Sequence, residues 1–256
     1  MNRRSLQSLN PPRESFFGSL SSNCSMIAVA LFVFAFIFQN FAIPSASMAS
    51  TLLVGDHVIV DQATLAPATP WAPLHYSQVR RDDVIVFYKP ILEENGERIH
   101  LVKRVVGIPG DRIHLRDGIV YVNGVAQIEP FAAKPTAADY NPYIDEFPSL
   151  PPSDADGATA EWSVVMPQYV HDGELVVPPD SYFVMGDNRQ HSLDSRYWGF
   201  VPRANILGRP LLVYWSIETA ELPDDAPLTE RAAADCDEFL HFFTRTRWSR
   251  TFHIVR

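Results

Sequence analysis

Two serines, one lysine and one polar block have the types and spacing to do chemistry together. Ser45 and Ser47 lie in a run of small residues, IPSASMAS, just after an apolar segment. Lys103 lies in an apolar strand pattern, with Leu101 and Val102 before it and Val105 and Val106 after Arg104. A free lysine titrates near 10.4, but burial among apolar side chains penalises the ammonium and lowers that value by up to several units. A neutral lysine can take the hydroxyl proton of a serine, which is the Ser-Lys form of an acyl-transfer dyad. The polar block VMGDNRQHSLDSRYWGFVP supplies what such a pair lacks: a serine, Ser192, able to orient an amine, and an Asp194/Arg196 pair able to brace the loop by a bidentate ion pair. The eight histidines, His57, His75, His100, His114, His171, His191, His241 and His253, show neither a triad motif nor a metal-binding spacing.

The serine stretch has a second reading. Small residues after a short apolar run also make a signal-peptide cleavage site, so the chain is either cut there or cuts other chains there. The preceding segment bears on the choice. Residues 1–23 form a polar flank carrying Arg3, Arg4 and Arg13, and Met26 to Phe38 are all apolar before Gln39 and Asn40 interrupt. The apolar character resumes at Phe41 and ends at Pro44. The expected transmembrane helix is 24–43: the roughly 18 residues from Met26 to Ile43 span about 27 Å as a helix, just enough for a bilayer core with the polar pair near one interface. The basic flank puts the N-terminus in the cytoplasm and everything after Pro44 on the far side.

Beyond Pro44 the expected fold is mainly β, an antiparallel domain over 44–218. HVIVD, DVIVFY, RIHLRDGIVYVNGVAQ and PLLVYWSI alternate β-branched and aromatic residues, and Asp117-Gly118 and Asn123-Gly124 are hairpin turn pairs. Two Pro-rich stretches, 66–79 and 130–179, read as irregular insertions on the β scaffold, either surface loops or a small accessory subdomain. Residues 219–256 form an acidic, Ala-rich extension ending in FLHFFTRTRWSRTFHIVR, which either completes the domain as a strand or meets anionic headgroups. A length of 256 residues with 46% hydrophobic and 12% aromatic residues can furnish a core, and a net charge of −9 excludes a nucleic-acid binder. Cys24 and Cys236, so placed, form no disulfide and have no reactive or metal-binding context.

With those residues in view, the chain resembles the type I signal peptidases, membrane-anchored Ser-Lys endopeptidases. The family motif S-x-S-M-x-P-T-L is met by Ser45, Ser47, Met48, Thr51 and Leu52, with Ser50 in place of proline. R-G-D-I-V-V-F resembles Arg81 to Phe87, with Asp82 in place of glycine. K-R-V-V-G-x-P-G-D is matched in full by Lys103 to Asp111, and G-D-N-R-x-x-S-x-D-S-R-x-W-G-x-V-P by Gly186 to Pro202. The resemblance extends over about residues 24–218. It implies Ser47 as nucleophile and Lys103 as general base, with the Ser45 hydroxyl and the Ser47 N–H as oxyanion hole. It further implies Ser192 orienting Lys103, Asp194 and Arg196 supporting the site, and Met48 near the substrate clefts. Ile85 and Phe87 are expected as substrate-binding wall residues. No metal and no cofactor is expected. The expected substrates are secretory preproteins with small residues at −1 and −3, and the expected location is the bacterial cytoplasmic membrane, single-pass, with the lipid bilayer as partner. A relative dedicated to one substrate and a membrane-anchored β-rich binding protein are the alternatives.

Overall fold

A computed structural model describes residues 16–65, 77–92, 96–133, 139–219 and 241–255. They divide into two units at Ile37. The first holds helix α1, Phe16–Ile37, whose described side chains are those of residues 20–32 and Ile37. Among the described residues, no helix is long and apolar enough to cross a membrane. The helix differs from the expected one at 24–43: it starts earlier and ends at Ile37, because Phe38–Ala42 is a strand, β1. The polar Gln39-Asn40 pair interrupts the apolar run, and β1 finds hydrogen-bonding partners in β2, Asp56–Asp61, with Phe38 opposite Asp61 and Ala42 opposite His57.

The second unit is antiparallel β throughout. Besides β1 and β2, its strands are β3 (Val84–Tyr88), β4 (His100–Gly107), β5 (Arg112–Arg116), β6 (Ile119–Val122) and β7 (Val125–Ala126). After two short helices, α2 (Pro142–Asp145) and α3 (Ala160–Val165), come β8 (Val170–His171), β9 (Glu174–Val176) and β10 (Ser181–Met185). Helix α4 (Ser195–Trp198), β11 (Val201–Pro202), β12 (Ile206–Ser216), α5 (Phe242–Arg245) and β13 (His253–Ile254) complete the order. One sheet runs β1-β2-β12-β3-β4-β10-β11, with β13 added to β12; the other runs β7-β6-β5-β9-β8. The hairpin turns fall where the sequence puts them. Asp117 and Gly118 have φ of 51° and 72°, and Asn123 and Gly124 have 53° and 77°. Positive φ at both central residues is the type I′ geometry that matches strand twist.

Two apolar clusters flank β3 and β4. The larger contains Ile85, Phe87, Val105, Phe183 and Val184; the smaller contains Ile43, Met48, Leu52, Val84, Val86 and Val213. Of the two forms expected for 130–179, the structure contradicts surface loops. Tyr143, Ile144, Phe147, Trp162, Met166, Leu175 and Val177 are buried in the larger cluster, and β8 and β9 belong to the second sheet. Its abundant Pro and Asp mask widely spaced aromatic and aliphatic anchors, each worth about 2 kcal/mol when buried. In the other Pro-rich stretch, residues 66–76 lie outside the described residues, as does Cys236, while Cys24 is exposed. Residues 241–255 return to the domain: β13 pairs with Leu212 and Val213, and Thr246 bridges to Ile217.

Candidate active site

Pro44 stops β1, and the next residues make a one-turn 3-10 helix, Ala46–Met48, with the extended Ser45 at its N-terminus. Met48 anchors this turn. It is 1% exposed in the smaller cluster, its Sδ accepts the Asp187 N–H at 3.4 Å, and its carbonyl accepts the N–H groups of Thr51 and Leu52 at 2.8 and 2.7 Å. Ser47 is thereby fixed one residue before a buried knob. Asn188 adds a second restraint, its N–H bonding the Ser47 carbonyl at 3.0 Å and its Nδ2 the Ala46 carbonyl at 3.2 Å.

Lys103 reaches the same point from β4, where it lies opposite Ile85 of β3. Its side chain is 3% exposed, and Nζ lies 2.5 Å from Ser47 Oγ in a buried hydrogen bond. Burial drives the Lys103 amine down to about 8; Asp194 and Asp187 resist the shift, and Arg196 adds to it. Ser45 is exposed at the mouth, with Oγ 3.4 Å from Ser47 Oγ. A hydroxyl at that distance can turn toward charge developing beside Ser47.

The Gly186–Pro202 block packs behind the pair. Asp194 and Arg196 are fully buried and doubly bonded, Nε to Oδ1 at 2.9 Å and Nη2 to Oδ2 at 2.8 Å. Burial raises the Asp194 carboxyl, but the Arg196 charge, its hydrogen bonds and the Gly186 N–H outweigh this and hold it below the usual carboxylate range. Arg196 also donates to the Arg189 carbonyl at 2.7 Å, and its own carbonyl accepts from Trp162 Nε1 at 2.9 Å and from Tyr143 Oη. Ser192 is buried with an Oγ that has no hydrogen-bond partner. Gly186 separates it from the serine turn: a Cβ there would stand 2.3 Å from Ser192 Oγ and 2.5 Å from the Ser47 carbonyl.

A cleft of about 50 Å³ opens beside Ser47 and Lys103. Phe41, Ile43, Pro44, Val86, His100 and Val102 line it, the Phe41 and His100 rings lying 5.1 Å apart. This corrects the expected wall. Ile85, Val86 and Phe87 are all fully buried, but Ile85 and Phe87 belong to the larger cluster whereas Val86, in the smaller one, borders the cleft, because alternate residues of a strand face opposite sides. The structure thus brings together Ser45, Ser47, Met48, Lys103, Ser192, Asp194 and Arg196, and leaves Ile85 and Phe87 outside. Among the described residues no group of three or more His, Cys, Asp or Glu side chains could hold a metal ion.

Sequence reasoning missed a second buried pair. Arg104, beside the lysine, grips Asp187 with Nε to Oδ1 at 2.8 Å and Nη2 to Oδ2 at 2.7 Å. Thr51 Oγ1 joins them, donating to Asp187 at 2.5 Å and accepting from Arg104 at 3.0 Å. Arg104 further donates to the Asp82 carbonyl at 2.8 Å. All three belong to motifs already singled out, so adjacency to Lys103 and Gly186 was the available signal. Asp82 itself, standing where the resembled motif has glycine, adopts φ 68°, a left-handed conformation that aspartate tolerates better than most residues.

Comparison with known proteins gives the family. The family "Signal peptidase, peptidase S26" matches residues 19–215. A probable signal peptidase I-2 from Synechocystis sp. is 29% identical over 229 residues, covering 88% of this chain and 84% of that protein. Signal peptidase I of Leptolyngbya laminosa is 31% identical over 194 residues, covering 75% of each chain. Signal peptidase I of Aquifex aeolicus is 32% identical over 240 residues, covering 80% of this chain and 87% of that one. The chain belongs to the type I signal peptidases of family S26, serine endopeptidases that remove signal peptides.

Proposed function

We propose that Ser47 is the nucleophile and Lys103 the general base of a cofactor-free peptidase that cuts secretory preproteins after small residues at −1 and −3. The observation that carries this reading is the 2.5 Å contact between a buried amine, lowered to about 8, and a serine hydroxyl beside a small cleft. As Ser47 Oγ attacks the scissile carbonyl carbon, its proton passes to neutral Lys103 Nζ. The oxyanion is met by the Ser45 hydroxyl and the Ser47 N–H. The C–N bond then breaks, and the Lys103 ammonium returns its proton to the departing amine of the mature chain. Water, deprotonated by the same lysine, hydrolyses the acyl-enzyme and frees the signal peptide as a carboxylate. Ser192, whose buried Oγ bonds no group in the resting structure, turns to the amine as it takes the proton, and the Asp194/Arg196 pair keeps the loop closed on it.

The small cleft beside Ser47, lined by Phe41, Ile43, Pro44, Val86 and Val102, supports a preference for small apolar side chains, which larger ones would forfeit by steric overlap. The apolar run that starts at Met26 is the membrane anchor, the chain passing once through the bacterial cytoplasmic membrane with the β domain outside. Its exposed Met26, Ile27, Val29, Leu31 and Phe32 and the arginine-bearing flank before it support that role. Tethering enzyme and preprotein to one bilayer raises their effective concentration. The test is cleavage of preproteins varied at −1 and −3, in detergent, by wild type, Ser47→Ala and Lys103→Met. Loss of cleavage in both variants, with Ala accepted and Phe rejected at −1, is expected; retained activity in either variant would overturn the dyad.

A further inference from the structure

The family match ends at residue 215, yet a segment beyond it holds the turn that follows Ser47. Arg250 Nη2 bonds Asp56 Oδ2 at 2.5 Å and the Thr51 carbonyl at 3.0 Å, and its Nε bonds Asp56 Oδ1 at 3.3 Å. Asp56 is fully buried and also accepts from Ser216 Oγ at 2.6 Å and the Leu53 N–H at 2.9 Å. Three residues before Arg250 in the chain, Arg247 donates to the Val54 carbonyl and, at 2.5 Å, to the Ile217 carbonyl. The two arginines are mutually fixed, since the Arg250 N–H bonds the Arg247 carbonyl at 2.9 Å and the Arg247 N–H bonds the Ser216 carbonyl at 2.8 Å. Gly55 completes the fit: a Cβ there would stand 2.1 Å from the Ile217 carbonyl and 3.1 Å from Arg247 Nη2.

Residues 51–56 therefore carry carbonyls and a carboxylate that aim at two cations from the far end of the chain. Thr51 is the junction. Its hydroxyl is held by Asp187 and Arg104, and its carbonyl by Arg250. Its N–H returns to Met48, one residue from the serine. We propose that Arg250, supported by Arg247, is a positioning residue: it fixes the Thr51–Asp56 turn from behind and so sets where Ser47 Oγ stands against Lys103 Nζ. This rests on the reading of Ser47 as nucleophile.

The experiment uses the full chain in detergent and compares Arg250→Lys, Arg250→Gln and the charge-neutral pair Asp56→Asn with Arg250→Gln. For each, kcat and KM for preprotein cleavage are measured together with amide hydrogen exchange resolved by peptide. The expected result is a kcat lowered roughly ten- to a hundredfold in Arg250→Gln, as misplacement of reacting groups by about 1 Å produces, with KM changed less than about twofold. Arg250→Lys, which keeps the charge but not the multiple bonds, recovers part of the loss. Exchange accelerates in peptides covering 48–56 and stays as in wild type over β3, β4 and β10. Wild-type kcat in Arg250→Gln and in the double variant would overturn the proposal, and so would exchange accelerated across the whole domain in every variant, which would make the segment a stability element alone. Ser47→Ala, run alongside, separates the two claims: cleavage retained there refutes the nucleophile, whereas cleavage lost there but normal in the Arg250 variants refutes only the clamp.

Discussion

Replacing Lys103 by methionine isolates what it costs to bury an amine for catalysis. The side chain is 3% exposed, and burial lowers the amine from 10.5 to about 8. Between those values the unfolded chain binds more protons than the folded one, so stability rises with pH through that window and the full handicap is present below about 8. At about 1.4 kcal/mol per pH unit the handicap is ~3 kcal/mol. Methionine of similar length removes it and forfeits one hydrogen bond to Ser47, worth about 1 kcal/mol. Lys103→Met is therefore expected to be inactive yet ~2 kcal/mol more stable at pH 7, a rise in Tm of about 4–8 °C for a domain of this size. Urea denaturation of both proteins in detergent, repeated from pH 7 to 11, reads the difference. The gap should shrink from pH 8 upward and invert towards pH 11, leaving the variant about 1 kcal/mol less stable, because the wild-type amine is then neutral in folded and unfolded chains alike and only the lost hydrogen bond remains. A variant less stable than wild type at pH 7, or a gap independent of pH, would refute the reasoning.

Three further outcomes follow from the same packing. Gly186→Ala drives a methyl into Ser192 Oγ and the Ser47 carbonyl, and should lower kcat by about a hundredfold with the fold retained by circular dichroism. Asp187→Ala leaves Arg104 buried without its carboxylate and should destabilise the domain by about 3–5 kcal/mol in urea titration. Val86→Phe fills the cleft from β3 and should abolish cleavage of substrates with Ala at −1, whereas Phe87→Leu, remote from the cleft, should alter stability and leave kcat/KM within about threefold when the two are assayed side by side.

How far the sequence could be read depended on how local the determining physics was. The strands β2, β3, β5, β6 and β12 and both hairpin turns were legible because alternation and Asx-Gly pairs act over a few residues. The serines, Lys103 and the 186–202 block were legible as a set only because their chemistry is complementary; their meeting at 2.5 Å is a long-range fact. Face parity was misread at Ile85 and Phe87, since β3 is apolar on both faces and its sequence does not say which side meets the cleft. The burial of Tyr143 and Trp162 was hidden in a Pro- and Asp-rich stretch whose composition suggests solvent. Arg250 was hidden by distance: its partner Asp56 is 194 residues away, and a basic C-terminus read alone suits anionic headgroups as well as a carboxylate of the domain.

The dyad is tested most directly by the pH dependence of kcat/KM for preprotein cleavage, which reports the ionisation of groups in the free enzyme. With Lys103 as base, activity rises with pH along a limb of apparent pKa about 8 and then levels, since the amine must be neutral to accept the Ser47 proton. A limb near 6.5, the ordinary value of histidine, or a profile with no limb between 7 and 10, would contradict the account.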